Sequence, residues 1–213
     1  MPLIIPGIII SYLIGSLPTA YLFGRLFKRI DIREHGSGNM GATNALRVLG
    51  RGAGITVLLI DILKGALPVI FIGDYLAARD PGLSPEVIRI IIGISCICGH
   101  NWTVFLKFKG GKGVATTLGV LIGLSLGIPV FAKSLILIIL LWLIVFLFSR
   151  IVSLASLIAA LAFVPLLVIF RSSMVLIVFG LLISVFIVVR HKKNISRILQ
   201  GKESRITFRK SQS

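Results

Sequence analysis

The sequence has few charged residues, and acidic residues are the scarcest of them. Asp and Glu together number 7 among 213 residues, against 23 Lys and Arg, and all charged residues make up only 14%. Soluble domains contain roughly a quarter charged residues, whereas 56% of this chain is hydrophobic and its mean hydropathy is +1.04. This balance excludes an ordinary soluble protein and predicts an integral membrane protein.

Residues for metal and redox chemistry are also scarce. The two cysteines, Cys96 and Cys98, lie inside an apolar run, and a spacing of two places them on different sides of a helix rather than in a CxxC pair. The three histidines form no cluster with Cys or Asp at metal-ligand spacing. The sequence therefore predicts no redox role, no metal ion and no cofactor.

Three familiar catalytic or nucleotide-binding patterns are missing. Gly-x-x-x-x-Gly-Lys-Ser/Thr is absent, so a nucleotide is not implied. No histidine is followed five positions later by aspartate, which removes the His-x-x-x-x-Asp acyltransferase signature. No Ser/His/Asp constellation is evident. The net charge of +16 lies in short loops, which favours membrane topology and anionic lipid headgroups over a nucleic-acid partner.

Long apolar runs are what the sequence does contain. Residues 3–23, 55–78 and 87–106 are each long enough to cross a hydrocarbon core of about 30 Å. Residues 114–148 would span about 52 Å as one straight helix, and 151–189 are longer still. A break at 127–133 and another at 171–173 divide these runs, so we predict an all-α membrane protein with about seven transmembrane helices.

Basic residues predict the orientation of these spans. Four of the 23 Lys and Arg fall in predicted outer loops and one, Lys64, falls in a span, whereas all the others fall in predicted inner loops and the tail. This asymmetry predicts an outer N-terminus and a cytoplasmic C-terminus. Residues 1–10 lack a basic n-region, which favours a retained first span. We expect one integral-membrane domain over 1–213, with a basic tail from about 190.

The orientation places four polar segments on one face, at 33–47, 107–113, 150–156 and 190–203. The second is the most distinctive, because residues 107–113 contain three lysines and three glycines. Glycines allow backbone amides to approach a ligand closely, and a helix that follows adds partial positive charge, which together favour a phosphate. Lys112 lies within the glycines, whereas Lys107 and Lys109 are better explained as headgroup anchors.

The first polar segment has two interpretations. Small polar side chains and glycines can surround an oxyanion, and an arginine can bind phosphate through two hydrogen bonds. The residues concerned are Ser37, Asn39, Thr43, Asn44 and Arg47. An ordinary turn capped by Asn and Ser would use the same residue types.

Structural explanations compete with functional ones for the other polar residues. Asp61 and Lys64 share a helix face, which favours a structural ion pair over catalysis. His35 is expected at the surface, and His100 is expected to be an interfacial anchor beside Trp102. His191 and Asn194 are expected on one face of a continuing helix, where His191 could instead be a helix-end cation.

The polar motifs resemble those of the bacterial membrane glycerol-3-phosphate acyltransferases called PlsY. The resemblance covers residues 11–203, with motifs in the family's order. They lie at residues 36–44 with Arg47 and Gly50, at 99–116, at 152–156, and at 190–195 with Arg197, Gly201 and Glu203. Thr103 departs from this pattern, because the family often has proline there.

The resemblance implies a seven-helix inner-membrane enzyme with a cytoplasmic active site. Its reaction would transfer a fatty acyl group from acyl phosphate to the 1-hydroxyl of sn-glycerol 3-phosphate, giving 1-acylglycerol 3-phosphate (lysophosphatidic acid) and phosphate. Its partners would be these substrates and membrane lipids. The site residues carried over by motif are Ser37, Arg47, Lys112, Ser156, His191 and Asn194, with phosphate-binding support from Asn39, Thr43, Asn44, Gly110, Gly111 and Gly113.

Two mechanisms and two other functions stay open at this point. Direct attack by the glycerol hydroxyl is preferred, with substrate phosphate accepting the proton, over a serine acyl-enzyme. An organic-phosphate transporter would use intramembrane polar residues and glycine breaks, but it needs a midplane site, whereas the motifs lie on one face. A membrane scaffold would leave the four polar segments unexplained.

Overall fold

The computed structural model describes residues 3–206, and these residues form helices and connecting loops without any strand. The first two residues of the retained first span, and the last seven of the predicted basic tail, lie outside this range. The chain divides into two compact units, Met1–Ala132 and Lys133–Ser213. The prediction of one domain over the full chain stays a prediction.

The first unit consists of paired helices joined by polar loops. Its helices are α1 Ile4–Gly15, α2 Thr19–Lys28, α3 Ala42–Leu49, α4 Arg51–Leu67, α5 Asp74–Ala77, α6 Pro85–Asn101 and α7 Val114–Gly127. A π-helical segment, Pro68–Gly73, joins α4 to α5, and short 3-10 turns occur at Ile32–Glu34 and Val104–Leu106. Helix α8, Pro129–Ser149, begins at the end of this unit and lies mostly in the second.

The second unit continues with three further helices. These are α9 Val152–Ile169, α10 Met174–Arg190 and α11 Lys192–Leu199. The breaks predicted near 127–133 and 171–173 are confirmed, because α7 ends before Pro129 and α9 ends before the turn that precedes α10. Proline starts a helix readily at its first position, and the polar 171–173 segment has no apolar face to bury.

Fewer helices are long and apolar enough to cross a membrane than the seven that the sequence predicts. Among residues 3–206, five segments are long and apolar enough to cross, namely Ile4–Lys28, Arg51–Ala77, Pro85–Leu106, Pro129–Ser149 and Val152–Ile169. The pair α10 and α11, bent by 61°, would be a sixth. Helix α7 has only 14 residues, about 21 Å of rise. Seven crossings and their orientation stay predictions.

Glycines bring the helices of the first unit into close contact. A Cβ at Gly15 of α1 would collide with the carbonyl of Cys96 on α6, and a Cβ at Gly119 of α7 would collide with the carbonyl of Ile62 on α4. Such contacts bring backbones close enough for extensive van der Waals packing, which drives helix association in lipid. Hydrogen bonds such as Ser95 Oγ to the carbonyl of Ile8, at 2.7 Å, add to the α1–α6 contact.

The buried Asp61 and Lys64 form an ion pair, as the sequence predicts. Lys64 Nζ lies 2.8 Å from Asp61 Oδ1, and both side chains are buried. Thr19 Oγ1 donates to the same carboxylate oxygen at 3.0 Å, and Lys64 Nζ also donates to the carbonyl of Leu17 at 2.8 Å. These contacts satisfy charges that would otherwise be costly inside a membrane protein.

Candidate functional site

The first polar loop is shaped from within by Asn44. Its side chain is 1% exposed; Oδ1 accepts from the Ser37 amide at 2.8 Å, and Nδ2 donates to the carbonyls of Ile32 at 3.2 Å and His35 at 3.0 Å. Gly36 and the glycine two residues later have positive φ angles of 61° and 70°, which glycine adopts at little cost. Asn44 therefore holds the loop together, and its predicted ligand contact stays a prediction.

Other candidates in this loop lie nearer to solvent. Ser37 and Arg47 are exposed, whereas Asn39 and Thr43 are half-buried. Arg47 lies in the last turn of α3, and Asn39 and Thr43 lie on either side of that helix's start. Exposed hydroxyl and guanidinium groups on a glycine-rich loop can contact a phosphate from water.

An ion pair between Asp31 and Arg33 fixes the backbone where the chain enters the same loop. Asp31 accepts from Arg33 Nε at 2.9 Å and Arg33 Nη2 at 2.6 Å, and Arg25 and Arg33 both lie over the ring of Tyr21, 5.3 and 5.2 Å from its centre. The Arg33 hydrogen bond lowers the pKa of Asp31 to about 2. His35 is exposed, as predicted, and its Nδ1 lies 2.9 Å from the carbonyl of Asp31.

The glycine–lysine loop, residues 107–113, is held by the end of α6. The amide of Gly110 donates to the carbonyl of Asn101 at 3.0 Å, and the amide of Gly111 donates to the carbonyl of His100 at 3.1 Å. Gly113 has a φ of 78° and directly precedes α7. Lys112 is half-buried between two buried glycines, whereas Lys107 and Lys109 are exposed. That Lys112 is the lysine nearest to a bound phosphate stays a prediction.

His100 is not the interfacial anchor that the sequence predicts. Its side chain is 7% exposed, and its Nδ1 lies 3.9 Å from Asp61 Oδ1. Its neighbour Trp102 is 40% exposed, which fits the predicted aromatic position at an interface. The interpretation was wrong because the partner of His100 comes from α4, far away in the sequence.

Thr103, the departure from the family pattern, is accommodated by hydrogen bonds. Its buried hydroxyl donates to the carbonyl of Ser16 at 2.6 Å and accepts from the amide of Phe105 at 3.3 Å. Thr103 thus caps the short turn that leads into the glycine–lysine loop. A proline could supply neither of these side-chain contacts.

The two polar loops of the first unit rest on one apolar cluster. Met40, from the first loop, and Leu106, which precedes the glycine–lysine loop, belong to the same buried group. Its other members are Ala20, Ile32, Ala45 and Val57. Packing against a shared core fixes the loops relative to each other, so the first unit carries both predicted phosphate-binding motifs on one apolar cluster.

In the second unit, Glu203 joins the third motif to the fourth. Glu203 Oε1 accepts from Ser153 Oγ at 2.8 Å and from Asn194 Nδ2 at 2.6 Å, and Oε2 accepts from Arg197 Nε at 2.6 Å. Burial acts to raise the pKa of Glu203, but the three hydrogen bonds outweigh it and hold that pKa below its ordinary value. The carboxylate is therefore ionised at neutral pH and orients Asn194.

Sequence reasoning included Glu203 in the motif but assigned it no role. The available signal was charge, because Glu203 is the one acidic residue in the basic segment 190–213. A lone acid among many cations is expected to pair with them, and here it pairs with Arg197. The contacts with Ser153 and Asn194 could not be predicted from composition.

Ser156 and His191 are buried rather than presented on loops. Ser156 Oγ donates to the carbonyl of Val152 at 2.9 Å and accepts from Trp142 Nε1 at 3.1 Å. His191 Nδ1 lies 2.8 Å from the carbonyl of Ile187, and because a carbonyl only accepts, this nitrogen carries a proton. The contact of Trp142 with the predicted site residue Ser156 could not be found from the sequence.

The helix around His191 is interrupted, which corrects the prediction of a continuing helix. Helix α10 ends at Arg190, α11 begins at Lys192, and the two are bent by 61°. His191 stands at the bend, and its carbonyl accepts from the amide of Asn194 at 2.8 Å. The bend redirects α11 so that Asn194 reaches Glu203.

No group of three or more His, Cys, Asp or Glu side chains that could hold a metal occurs in the described residues 3–206. Cys96 and Cys98 are free thiols, and Cys96 Sγ donates to the carbonyl of Lys64 at 2.9 Å. The clusters offer basic, hydroxyl and amide groups instead. Such groups bind anions and position polar substrates.

A family model described as glycerol-3-phosphate acyltransferase matches residues 5–201. Proteins with that name from Chlorobium phaeovibrioides and a Thermoanaerobacter species are 40% and 42% identical to this chain; the matches cover 94% and 93% of it and 95% and 93% of those proteins.

Two crystal structures of PlsY (YgiH), an integral membrane glycerol 3-phosphate acyltransferase, have similar folds. The glycerol 3-phosphate form has a TM-score of 0.84 at 34% identity, over 96% of each chain. The lysophosphatidic acid form has a TM-score of 0.81 at 33% identity, over 96% of this chain and 95% of that one.

Proposed function

Because the chain belongs to the glycerol-3-phosphate acyltransferase family, we propose that it transfers a fatty acyl group from acyl phosphate to glycerol 3-phosphate. The acceptor is the 1-hydroxyl of sn-glycerol 3-phosphate, and the products are 1-acylglycerol 3-phosphate and inorganic phosphate. The protein is a multi-pass membrane protein. In the proposal it lies in the bacterial inner membrane, with its polar loops towards the cytoplasm.

The observation that carries the proposal is the glycine–lysine loop. Lys112 is held between two buried glycines at the start of α7, and the amides of Gly110 and Gly111 are fixed by the end of α6. A pre-formed cationic loop binds phosphate without the cost of ordering itself first. Both proposed substrates carry phosphate, so a preformed phosphate loop supports the reaction.

Each motif receives a proposed role. Lys112 and Arg47 bind the phosphate of glycerol 3-phosphate, and His191 and Asn194 are also proposed to bind phosphate. Gly110, Gly111, Gly113 and Thr43, with support from Asn39, hold the acyl-phosphate group. Ser37 and Ser156 orient phosphate or polarise the acyl carbonyl.

In the proposed mechanism, the 1-hydroxyl oxygen attacks the acyl carbonyl carbon directly. A new carbon–oxygen ester bond forms, the bond from that carbon to the bridging phosphate oxygen breaks, and inorganic phosphate leaves. A substrate phosphate accepts the hydroxyl proton. Because acyl phosphate is already activated, the protein contributes mainly positioning and stabilisation of negative charge.

A serine acyl-enzyme has less support from the geometry. The Ser156 hydroxyl donates to a backbone carbonyl of its own helix, not to a histidine. A nucleophilic serine needs a base that accepts its proton. Rapid-quench labelling with radioactive acyl phosphate is expected to give no covalent acyl-protein, and accumulation of one at a competent rate would overturn direct attack.

The decisive test is an assay of purified protein with labelled glycerol 3-phosphate and three donors. Acyl phosphate is expected to give labelled lysophosphatidic acid, whereas acyl-CoA and acyl carrier protein thioesters are expected to give none. Product from a thioester alone would reject the proposed donor. Absence of any product, together with phosphate movement across vesicles, would favour the transporter.

Lysine substitutions test the phosphate loop within the same assay. Lys112→Ala is expected to raise the KM for glycerol 3-phosphate by about 10-fold to 100-fold, because a charge-assisted hydrogen bond contributes about 1.5–3 kcal/mol. The matched control is Lys109→Ala, which removes an exposed lysine three positions away. Equal kinetics for both variants would remove Lys112 from the phosphate site.

A further inference from the structure

The last turn of α6 binds the backbone of the glycine–lysine loop and fixes its position. The carbonyls of His100 and Asn101 accept the amides of Gly111 and Gly110, as described above. A Cβ at Gly113 would lie 2.7 Å from the side-chain nitrogen of Asn101, so that side chain also contacts the loop backbone. Two consecutive residues of α6 therefore determine where the loop backbone lies.

The imidazole of His100 lies between this loop and a buried carboxylate. A Cβ added at Gly111 would collide with His100 Nε2, so the ring contacts the loop backbone itself. On its other side, Nδ1 lies 3.9 Å from Asp61 Oδ1. That distance is too long for a hydrogen bond, so the carboxylate lies beside the ring without bonding to this nitrogen.

Asp61 is itself held by groups from separate helices. Its Oδ1 contacts Lys64 at 2.8 Å and Thr19 at 3.0 Å, and its side chain is 1% exposed. Lys64 is tied in turn to the carbonyl of Leu17, and its own carbonyl accepts from Cys96 on α6. Alternative positions for this carboxylate would leave a buried charge unpaired, which is strongly unfavourable.

We propose that His100 is a positioning residue for the glycine–lysine loop, and that the Asp61–Lys64 pair holds its ring in place from the side opposite the loop. The ring fixes the position of the Gly111 backbone and so determines where the loop presents Lys112 to phosphate. The expected change in KM rests on the proposed function, whereas the contact between His100 and the loop does not depend on which acyl donor is used. Asp61 and Lys64 are thereby assigned a role in the alignment of the loop.

Kinetics of His100 variants separate this role from a general effect on folding. His100→Ala is expected to raise the KM for glycerol 3-phosphate by about 10-fold to 100-fold, since small misplacements of binding groups cost this much. Because the ring does not touch reacting atoms in the proposal, kcat is expected to fall less than about threefold. His100→Gln, which fills much of the same space with a polar group, is expected to recover part of the lost affinity.

Double-mutant cycles test the contact with Gly111 directly. Gly111→Ala places a methyl group against the His100 ring, so its cost is expected to shrink when the ring is removed by His100→Ala. Gly110→Ala is the matched control, because its Cβ would meet the backbone carbonyls of His100 and Asn101, which remain in every variant. Equal coupling of His100→Ala to both glycine variants would overturn the proposal.

Hydrogen–deuterium exchange gives a readout that does not depend on acyl transfer. Peptides covering residues 107–113 are expected to exchange faster in His100→Ala and at the wild-type rate in Gly52→Ala, a substitution with open space around it. If wild-type protein makes no acylated product, the proposed function fails while the exchange result still decides the inference. Unchanged exchange in His100→Ala, or in His100→Gln should the alanine variant not fold, would overturn it.

Discussion

Removal of the Glu203 carboxylate should destabilise the second unit more than any surface substitution. Glu203 is 6% exposed and accepts hydrogen bonds from Ser153, Asn194 and Arg197. Hydrogen bonds to a charged group contribute about 1.5–3 kcal/mol each when buried. The contact with Arg197, which is 39% exposed, adds only about 0–1 kcal/mol. Because the three contacts share one carboxylate and are not independent, we expect Glu203→Ala to lower the free energy of unfolding by about 3–5 kcal/mol, less than their simple sum of about 3–7 kcal/mol.

Thermal unfolding in detergent provides the measurement. For a chain of this size each kcal/mol lowers Tm by about 2–4 °C, so Glu203→Ala should lose about 6–20 °C. Glu203→Gln should lose about half as much, because its amide oxygen still accepts hydrogen bonds but lacks charge. Trp142 fluorescence in a Trp102→Phe background reports on the second unit, since Trp142 lies on α8 and donates to Ser156.

Glu34→Ala is the matched control, because Glu34 is exposed at the end of the 3-10 turn in the first unit. It should change Tm by less than about 2 °C, as surface substitutions usually do. A Glu203→Ala protein with a Tm equal to that of the control would refute the view that Glu203 connects the third and fourth motifs.

Three other outcomes are expected. Arg47→Lys should stay impaired in glycerol 3-phosphate binding, because lysine lacks the planar fork; wild-type kinetics would argue against contact through two hydrogen bonds. Gly119→Ala should destabilise the first unit by about 1–3 kcal/mol through its collision with the Ile62 carbonyl, whereas Gly52→Ala should not; equal Tm values for both would contradict the packing. Asp31→Asn should destabilise the protein at neutral pH, with the difference lost only as pH falls from 3.8 towards the lowered pKa of about 2; loss of that difference at higher pH would contradict the Asp31–Arg33 ion pair.

The sequence predicted helices and breaks well where the signals are local. Gly127 and Pro129 end one helix and begin the next, and the polar 171–173 turn separates α9 from α10. Such breaks depend on the conformational limits of a few neighbouring residues. The Asp61–Lys64 pair was predictable for a similar reason, since a spacing of three places both side chains on one face.

Features that depend on distant partners were not predictable in the same way. The bend at His191 has no proline or glycine beside it, and α11 is redirected towards Glu203. From its sequence position His100 was predicted to lie at the membrane interface, but in the fold it is buried beside Asp61 of α4. Asparagine can bind a ligand or close a loop, and the sequence did not decide between these uses for Asn44. Three backbone contacts show that it closes the loop, and its ligand contact stays a prediction.

The glycine contacts between α1 and α6 also have a consequence for the response to bilayer thickness. Gly15 lies against the Cys96 carbonyl, and Gly99 lies against the Tyr12 carbonyl, so each helix blocks sliding of the other along its axis. A membrane of unsuitable thickness is therefore matched by tilting the pair together rather than by shifting α6 alone. Since α6 ends in the residues that hold Gly110 and Gly111, hydrophobic mismatch would tilt the glycine–lysine loop together with the two helices and leave its internal geometry intact.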